Sequence, residues 1–227
     1  MKRILAIVLA LAAALLLIAC QNKTDNSASP DTDLNNAGVG ENKTATAVPT
    51  NYVRFDMEDG GLFVVELLPE YAPETVANFQ KLVSEHFYDG LTFHRIMKNF
   101  MIQGGDPKGD GTGSSSEKIK GEFATNGFTQ NTLEHTRGVI SMARGTDPNS
   151  ASCQFFIVQA DSHNLDGRYA AFGRVVYGME TVDAIAQTKV EAQKYSGEQS
   201  KPKVAPVMKS VTFVEYREDW STLNQSN

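Results

Sequence analysis

Cysteine is scarce in this 227-residue chain: Cys20 and Cys153 are the pair, too few for a disulfide framework or a four-cysteine zinc site. The four histidines, His86, His94, His135 and His163, show neither an HExxH pattern nor short metal-ligand spacing, so a metal centre is not expected. Basic residues do not predominate. Twenty-one Lys and Arg face 27 Asp and Glu, a net charge of -6, which excludes the basic face that a nucleic-acid binder presents. The one long apolar run, Ile4 to Ile18, falls short of the ~20 residues of a spanning helix, so a polytopic membrane protein is excluded. Ser141 and Ser152 lack a GxSxG elbow. The glycine-rich Gly109–Gly113 run precedes Ser114 to Lys120 rather than a helix start, and reads as a flexible surface loop, not a phosphate cradle. Hydrophobic residues make up 41% and charged residues 21%, which argues against a wholly disordered chain or a coiled coil. The length fits one domain with additions at its ends.

One addition is N-terminal. Lys2 and Arg3 precede the uncharged stretch Ile4–Ile18, which closes with Leu17-Ile18-Ala19-Cys20. That is the layout of a signal peptide, and its end resembles the lipobox of bacterial lipoproteins. The resemblance implies removal of residues 1–19 and lipidation of Cys20, palmitate among the acyl groups. Two or three chains would hold a membrane stably where one would not. Residues 21–50 contain no aromatic residue and are rich in Asn, Thr, Asp, Ser and Ala. Such a segment cannot bury enough apolar area to offset chain entropy. Residues 20–50 are therefore expected to be a lipidated cysteine followed by a disordered tether of about 30 Å root-mean-square span. Loss of Lys2 and Arg3 leaves 19 basic residues against 27 acidic, a mature charge of −8, so the lipid and not the surface charge would hold the membrane. The expected location is the bacterial cell envelope, outside the cytoplasm.

From Asn51 the texture is that of a folded domain, expected over 51–217, with 218–227 as a C-terminal tail. Tyr52–Met57 alternates, Glu58–Gly61 turns, and Leu62–Leu68 is rich in β-formers, the pattern of a hairpin. Pro73-Glu74-Thr75 is a helix start, and Val76, Phe79, Val83 and Phe87 recur at helical spacing, predicting a helix to about His86. Short β-rich runs follow at 91–97, 99–104, 137–143, 153–159 and 169–176, then a helical pattern at 179–188 and a strand at 207–216. Many short strands with two helices predict a mainly β protein, a closed antiparallel barrel with helices over its ends. Cys153, in an apolar strand, reads as a small core residue. His94 reads as structural, because alternation puts it on the face opposite Arg95.

Three dense stretches stand out: 88–106, YDGLTFHRIMKNFMIQGGD; 141–156, SMARGTDPNSASCQFF; and 164–173, NLDGRYAAFG. They resemble the cyclophilin family of peptidyl-prolyl cis-trans isomerases, from about Tyr52 to Tyr216 and including Ala72–Phe79. The resemblance implies a closed eight-stranded antiparallel β-barrel capped by two helices. It makes Arg95 the catalytic arginine and Gln103 the group that holds substrate backbone. Phe100, Met101, Phe156 and Leu165 match the pocket for the proline ring; Gly111, Ala143, Arg144 and Gln154 match groove positions beside it. Asn164 stands where well-known eukaryotic members have tryptophan, which implies weak cyclosporin binding. Tyr169, a substrate-side position, stands where they have histidine. The loop from Arg144 to Ser152 is one residue longer than theirs, and Gly145 to Ala151 receive no role.

This chemistry suits those residue types. An Xaa-Pro bond prefers trans by only about 0.5–1 kcal/mol but rotates over a barrier of about 18–20 kcal/mol; at about 19 kcal/mol the uncatalysed rate is roughly 0.06 per second. Rotation needs no covalent step and no proton transfer. It needs a grip on the ring, a grip on the carbonyl and a donor near the prolyl nitrogen, whose lone pair localises as the amide twists. A guanidinium supplies a permanently charged donor of fixed geometry. No cofactor, metal or nucleotide is implied. Proline-containing polypeptides are the expected partners, with the membrane reached through Cys20, no nucleic acid, and a monomeric state. Two rivals stand beside the enzyme: a non-catalytic proline-peptide binding module, and an extracytoplasmic holdase chaperone.

Overall fold

Short alternating runs pair into one curled antiparallel sheet. The computed structural model describes residues 50–194 and 196–225; the expected signal segment, Cys20 and the tether up to residue 49 lie outside them. The sheet comprises β1 (Tyr52–Met57), β2 (Leu62–Leu67), β3 (Thr92–Met97), β4 (Met101–Asp106), β5 (Val139–Met142), β6 (Phe155–Val158), β7 (Ala171–Tyr177) and β10 (Met208–Val214). Their order is β10-β1-β2-β7-β5-β6-β4-β3. Two helices, α1 (Pro73–Ser84) and α2 (Met179–Ala186), carry apolar faces into the core. The predicted strands and helices match in kind, with ends shifted by a few residues. The first helix stops at Ser84, and His86 takes a left-handed conformation (φ 55°) just beyond it.

Two expectations need correction. The barrel is not fully closed: β10 and β3 are the two edges of the ladder, and they meet only near one end. There Thr92 bridges Val207, and Met208 exchanges backbone bonds with Gly90 and Leu91. The physical reason is that the chain arrives at β10 through the proline-bearing stretch Pro202–Pro206, and proline cannot donate to a ladder. The second difference is a hairpin that hydropathy does not announce. β8 (Val190–Ala192) pairs with β9 (Gln199–Pro202), and β9 lies alongside β3. Its strands are too short and polar to show alternation.

Side chains alternate between two faces of the sheet. Phe55, Phe63, Phe93, Phe155, Phe172 and Tyr88 fill the inner core with Phe79 of α1, with Phe55 and Phe63 stacked at 4.5 Å and Phe155 edge-on to several rings. Such pairs add to burial itself. Met101, Val139, Phe156 and Val158 instead face outward, where Leu165 covers them. On another part of the outer face Trp220, from the C-terminal segment, packs on Leu62 and Val64, so β2 is buried on both sides.

The start of α1 is capped from a distance. Ala72, at the N-cap, offers no side-chain bond. Glu122, 2% exposed, accepts instead from the Glu74 and Thr75 amides at 3.0 and 2.8 Å and from the Thr75 hydroxyl at 2.7 Å. A carboxylate there meets the free amides and the positive end of the helix dipole. Replacing Glu122 with alanine leaves these donors buried and unpaired. We expect a loss of about 3 kcal/mol, read as a fall of roughly 6–12 °C in Tm for a domain of this size; a Tm within 2 °C of the parent would contradict this account of the cap.

Candidate active site

A single cross-strand row sets the geometry. Arg95 on β3 lies opposite Gln103 on β4, Gln103 opposite Phe156 on β6, and Phe156 opposite Ser141 on β5. Opposed residues on one face of a sheet approach to contact distance. The register therefore brings a cation, an amide and an aromatic ring side by side from segments up to 61 residues apart. Ladder irregularities on either side of Phe93 break the alternation in β3, so Phe93 and His94 are both buried while Arg95 emerges on the outer face.

The polar half of the site is a chain of hydrogen bonds. Arg95 Nη1 donates to Gln103 Oε1 at 3.2 Å, Gln103 Nε2 donates to Gln154 Oε1 at 3.0 Å, and Gln154 Nε2 donates to the carbonyls of Gly111 and Gly113 at 3.2 and 2.8 Å. Each amide thereby has its oxygen and nitrogen ends assigned. The Gly111 loop is not left to fluctuate alone. The buried Asp106 carboxylate accepts from the amides of Lys108, Asp110 and Gly111, which fastens the stretch read from sequence as a flexible surface loop. Gly105, near the end of β4, is left-handed (φ +81°), and a Cβ there would sit 2.6 Å from the Cys153 carbonyl.

The apolar half is a cavity of about 210 Å³. Phe100, Met101, Ala143, Phe156, Leu165 and Tyr169 line it, with Arg95, Gln103 and Arg144 at its polar side. All the residues nominated from sequence for the domain's site thus come together except Gly111 and Gln154, which line an adjoining polar cavity of about 300 Å³. Arg144 is held in place by cation–π contacts to Tyr169 at 4.7 Å and Phe123 at 5.0 Å and by bonds to the Arg168 carbonyl. Asn164 is exposed beside Leu165.

Beneath the cavity lies a buried polar network. His135 stacks on Phe156, with ring centroids 5.9 Å apart. Its Nδ1 pairs with Asp166 at 2.9 Å and its Nε2 with the Ser141 hydroxyl at 3.0 Å. The arrangement has the connectivity of a serine hydrolase triad, but Ser141 is fully buried and is not among the residues lining the cavities around Arg95. Its role is to hold Phe156 and the 163–166 turn that bears Leu165.

Sequence reading missed Glu198. It sits 103 positions beyond Arg95, immediately before β9, and binds the guanidinium through two bonds: Nε to Oε1 at 2.7 Å and Nη2 to Oε2 at 2.8 Å. The Arg95 guanidinium beside it pulls its carboxyl pKa down to about 2. No spacing signal links a glutamate in a polar stretch to an arginine that far away. A further cavity of about 390 Å³ lies on this side of Arg95, lined by His94, Asp110, Gln193, Ser196 and Glu198 among others. Cys153 is buried as expected, and burial pushes its thiol pKa up.

The model of the family described as "Cyclophilin type peptidyl-prolyl cis-trans isomerase/CLD" matches residues 52–212. Peptidyl-prolyl cis-trans isomerase B of Bacillus subtilis is 47% identical over 126 residues, covering 56% of this chain and 84% of that protein. A probable peptidyl-prolyl cis-trans isomerase of Brucella suis is 40% identical over 160 residues, 65% of this chain and 78% of its own length. A Cryptosporidium parvum cyclophilin-type isomerase, crystallised in the presence of the dipeptide Ala-Pro, superposes with a TM-score of 0.62 at 29% identity, covering 73% of this chain and 99% of that one.

Burial holds the pKa of His135 and His94 below the ordinary 6.5. A depressed histidine resists protonation in the fold, so its contribution is fully present above pH 6.5 and is lost as pH falls through the lowered value. Exposed His163 is shifted up by its bond to Asp166, with the opposite sign. We expect Tm to decline from pH 7 to pH 5 and the decline to shrink in His135→Gln, which is also less stable at pH 7. An equally steep decline in that variant, followed by thermal denaturation, would show that His135 is not the responsible group.

Proposed function

The chain belongs to the cyclophilin-type peptidyl-prolyl cis-trans isomerase family, and on that premise we propose that Arg95 drives the reaction without covalent chemistry and that the enzyme serves secreted or surface proteins from a lipid anchor. It is a peptidyl-prolyl cis-trans isomerase, acting on proline-containing polypeptides. What carries the mechanistic reading is one adjacency: a fixed guanidinium and an apolar cavity share a wall, with Arg95 lining the same 210 Å³ space as Phe100, Met101, Phe156 and Leu165.

The proline ring enters that cavity. The amide before it then lies over Arg95 and Gln103. Gln103 holds its oxygen toward Arg95, and its second amide hydrogen is available to substrate backbone. As the C–N bond twists, resonance is lost and the prolyl nitrogen gains a lone pair. A donor aimed there acts only on the twisted state, so it raises the rate rather than merely tightening binding. The apolar walls exclude water, which strengthens the donor's field. A turnover of about 10³ per second requires about 5–6 kcal/mol off the barrier. One charge-assisted hydrogen bond with desolvation and orientation is of that order.

A non-catalytic binding module would need the cavity alone, and the Arg95–Gln103 pair favours the enzyme. A holdase presents a broad apolar patch. Among the described residues the large exposed hydrophobics are Val204 and Tyr216, which lie apart in sequence and in different structural segments. The Leu17–Cys20 lipobox pattern and the polar stretch after it support the anchor. That stretch would set location and local concentration without altering the site.

Arg95→Ala should lower kcat/KM on an Ala-Pro peptide by about 10²-fold or more, on the order of 3 kcal/mol, with near-parental Tm. Near-full activity in the folded variant would overturn the assignment. For the anchor, Cys20→Ser should abolish incorporation of a labelled fatty acid and leave a heavier precursor. A chain beginning at Gln21 should be soluble and keep full peptide activity. Label retained by Cys20→Ser, or activity lost on truncation, would count against the anchored arrangement.

A further inference from the structure

A guanidinium has two hydrogen-bonding edges and a long, flexible stem, and catalysis by Arg95 requires one particular edge to face the substrate. The β8–β9 hairpin carries the side chain that pairs with one of these edges. Its turn is tied by the Gln193 amide to the Glu198 carbonyl at 2.7 Å and the Gly197 amide to the Gln193 carbonyl at 2.9 Å, with Gly197 left-handed (φ +71°). Glu191 and Lys201 pair across its strands at 3.0 Å, and Ser200 and Pro202 are buried where it docks. Glu198 is thus presented from a braced element rather than a free loop.

Its two oxygens take the Nε–Nη2 edge of Arg95 in a bidentate pair. That geometry fixes the plane as well as the direction of the guanidinium. The remaining nitrogen, Nη1, is left facing Gln103 at 3.2 Å and the Met101 sulfur at 3.7 Å, on the side of the proline cavity. Resting on the isomerase reading above, we propose that Glu198 is a positioning residue for catalysis: it occupies one edge of Arg95 so that Nη1 is pre-aimed at the reacting amide. Glu198 touches no part of the proline cavity, so it acts through Arg95 alone. The pair is only partly exposed, with side chains at 28% and 32%. Its carboxylate offsets part of the charge on Arg95, but rotation about the amide needs a directed donor more than net charge, because no ion forms along the reaction.

The test is a double-mutant cycle with Glu198→Gln and Arg95→Ala, reading kcat and KM separately by exchange spectroscopy on an Ala-Pro peptide. Glu198→Gln should lower kcat about five- to ten-fold with KM within two-fold of the parent. Added to Arg95→Ala, it should lower the rate no further, because its effect passes through the absent guanidinium. In the parent, the Arg95 Nε–H resonance should be slow to exchange with solvent, and in Glu198→Gln this protection should be lost. An unchanged or raised kcat in Glu198→Gln would overturn the proposal, as would a further equal loss in the double variant. If Arg95→Ala itself keeps full activity, the mechanistic reading fails; if Arg95→Ala is impaired and Glu198→Gln is not, only the positioning role fails.

Discussion

The candidate site depends on the strand register that sets Arg95 against Gln103 and Gln103 against Phe156. A slip of one residue would turn each of these side chains to the opposite face, replacing a cation–amide–aromatic row with aliphatic core residues such as Ile96, Ile102 and Ile157. The register is guarded from below. The inner-face residues of the same strands interlock with the aromatic core, and expelling large apolar side chains to water costs about 1.5–3 kcal/mol each. The core thus positions the site from the opposite face of the sheet, touching it where Phe123 lies under Arg144.

On that row the site divides into a wet half and a dry half. The wet half is a sequence of bonds in which Glu198 holds Arg95, Arg95 binds Gln103, Gln103 binds Gln154, and Gln154 ties down the Gly111–Gly113 loop. Such a network is stiff because each member has one consistent donor–acceptor orientation, and its strength rests on having both ends satisfied. The dry half is supported by buried polarity instead. His135, Asp166 and Ser141 brace Phe156 from behind, much as Glu122 braces the start of α1 and Asp106 the glycine loop. These groups lie outside the reacting cavity, and each satisfies backbone or ring atoms that would otherwise be buried unpaired.

Local pattern made much of this legible. Alternation in 52–57, a glycine turn and helical spacing from Pro73 announced the first hairpin and helix, since these depend on nearest neighbours along the chain. The dense stretches around Arg95, Ser141 and Leu165 pointed to the site residues through their resemblance to a family. Where local pattern stopped, the reading stopped. The polar β8–β9 hairpin has no periodicity of its own and exists because β9 lies along β3. The incomplete closure between β3 and β10 follows from prolines in the approach to the last strand, whose consequence appears only when the edges meet. His94 escapes strict alternation because the β3–β4 register shifts on either side of Phe93.

The amino-acid sequence by itself determined the mainly β architecture and the two helices; the apolar residues of the cavity, and the cation and amide on its wall, were legible only through the resemblance of their stretches to a family. Hydrophobic periodicity and residue chemistry are properties of neighbouring positions, so they can be read in one dimension. Only the tertiary structure decided which edge of Arg95 faces the cavity, with the Nε–Nη2 edge paired to a glutamate 103 residues away. It alone brought His135 beneath Phe156 and Glu122 to the first turn of α1. Pairings of this kind join isolated polar residues across long loops. Their partners are chosen by the closing of the sheet and by the cost of leaving a buried donor or charge unpaired, and neither leaves a trace in local sequence.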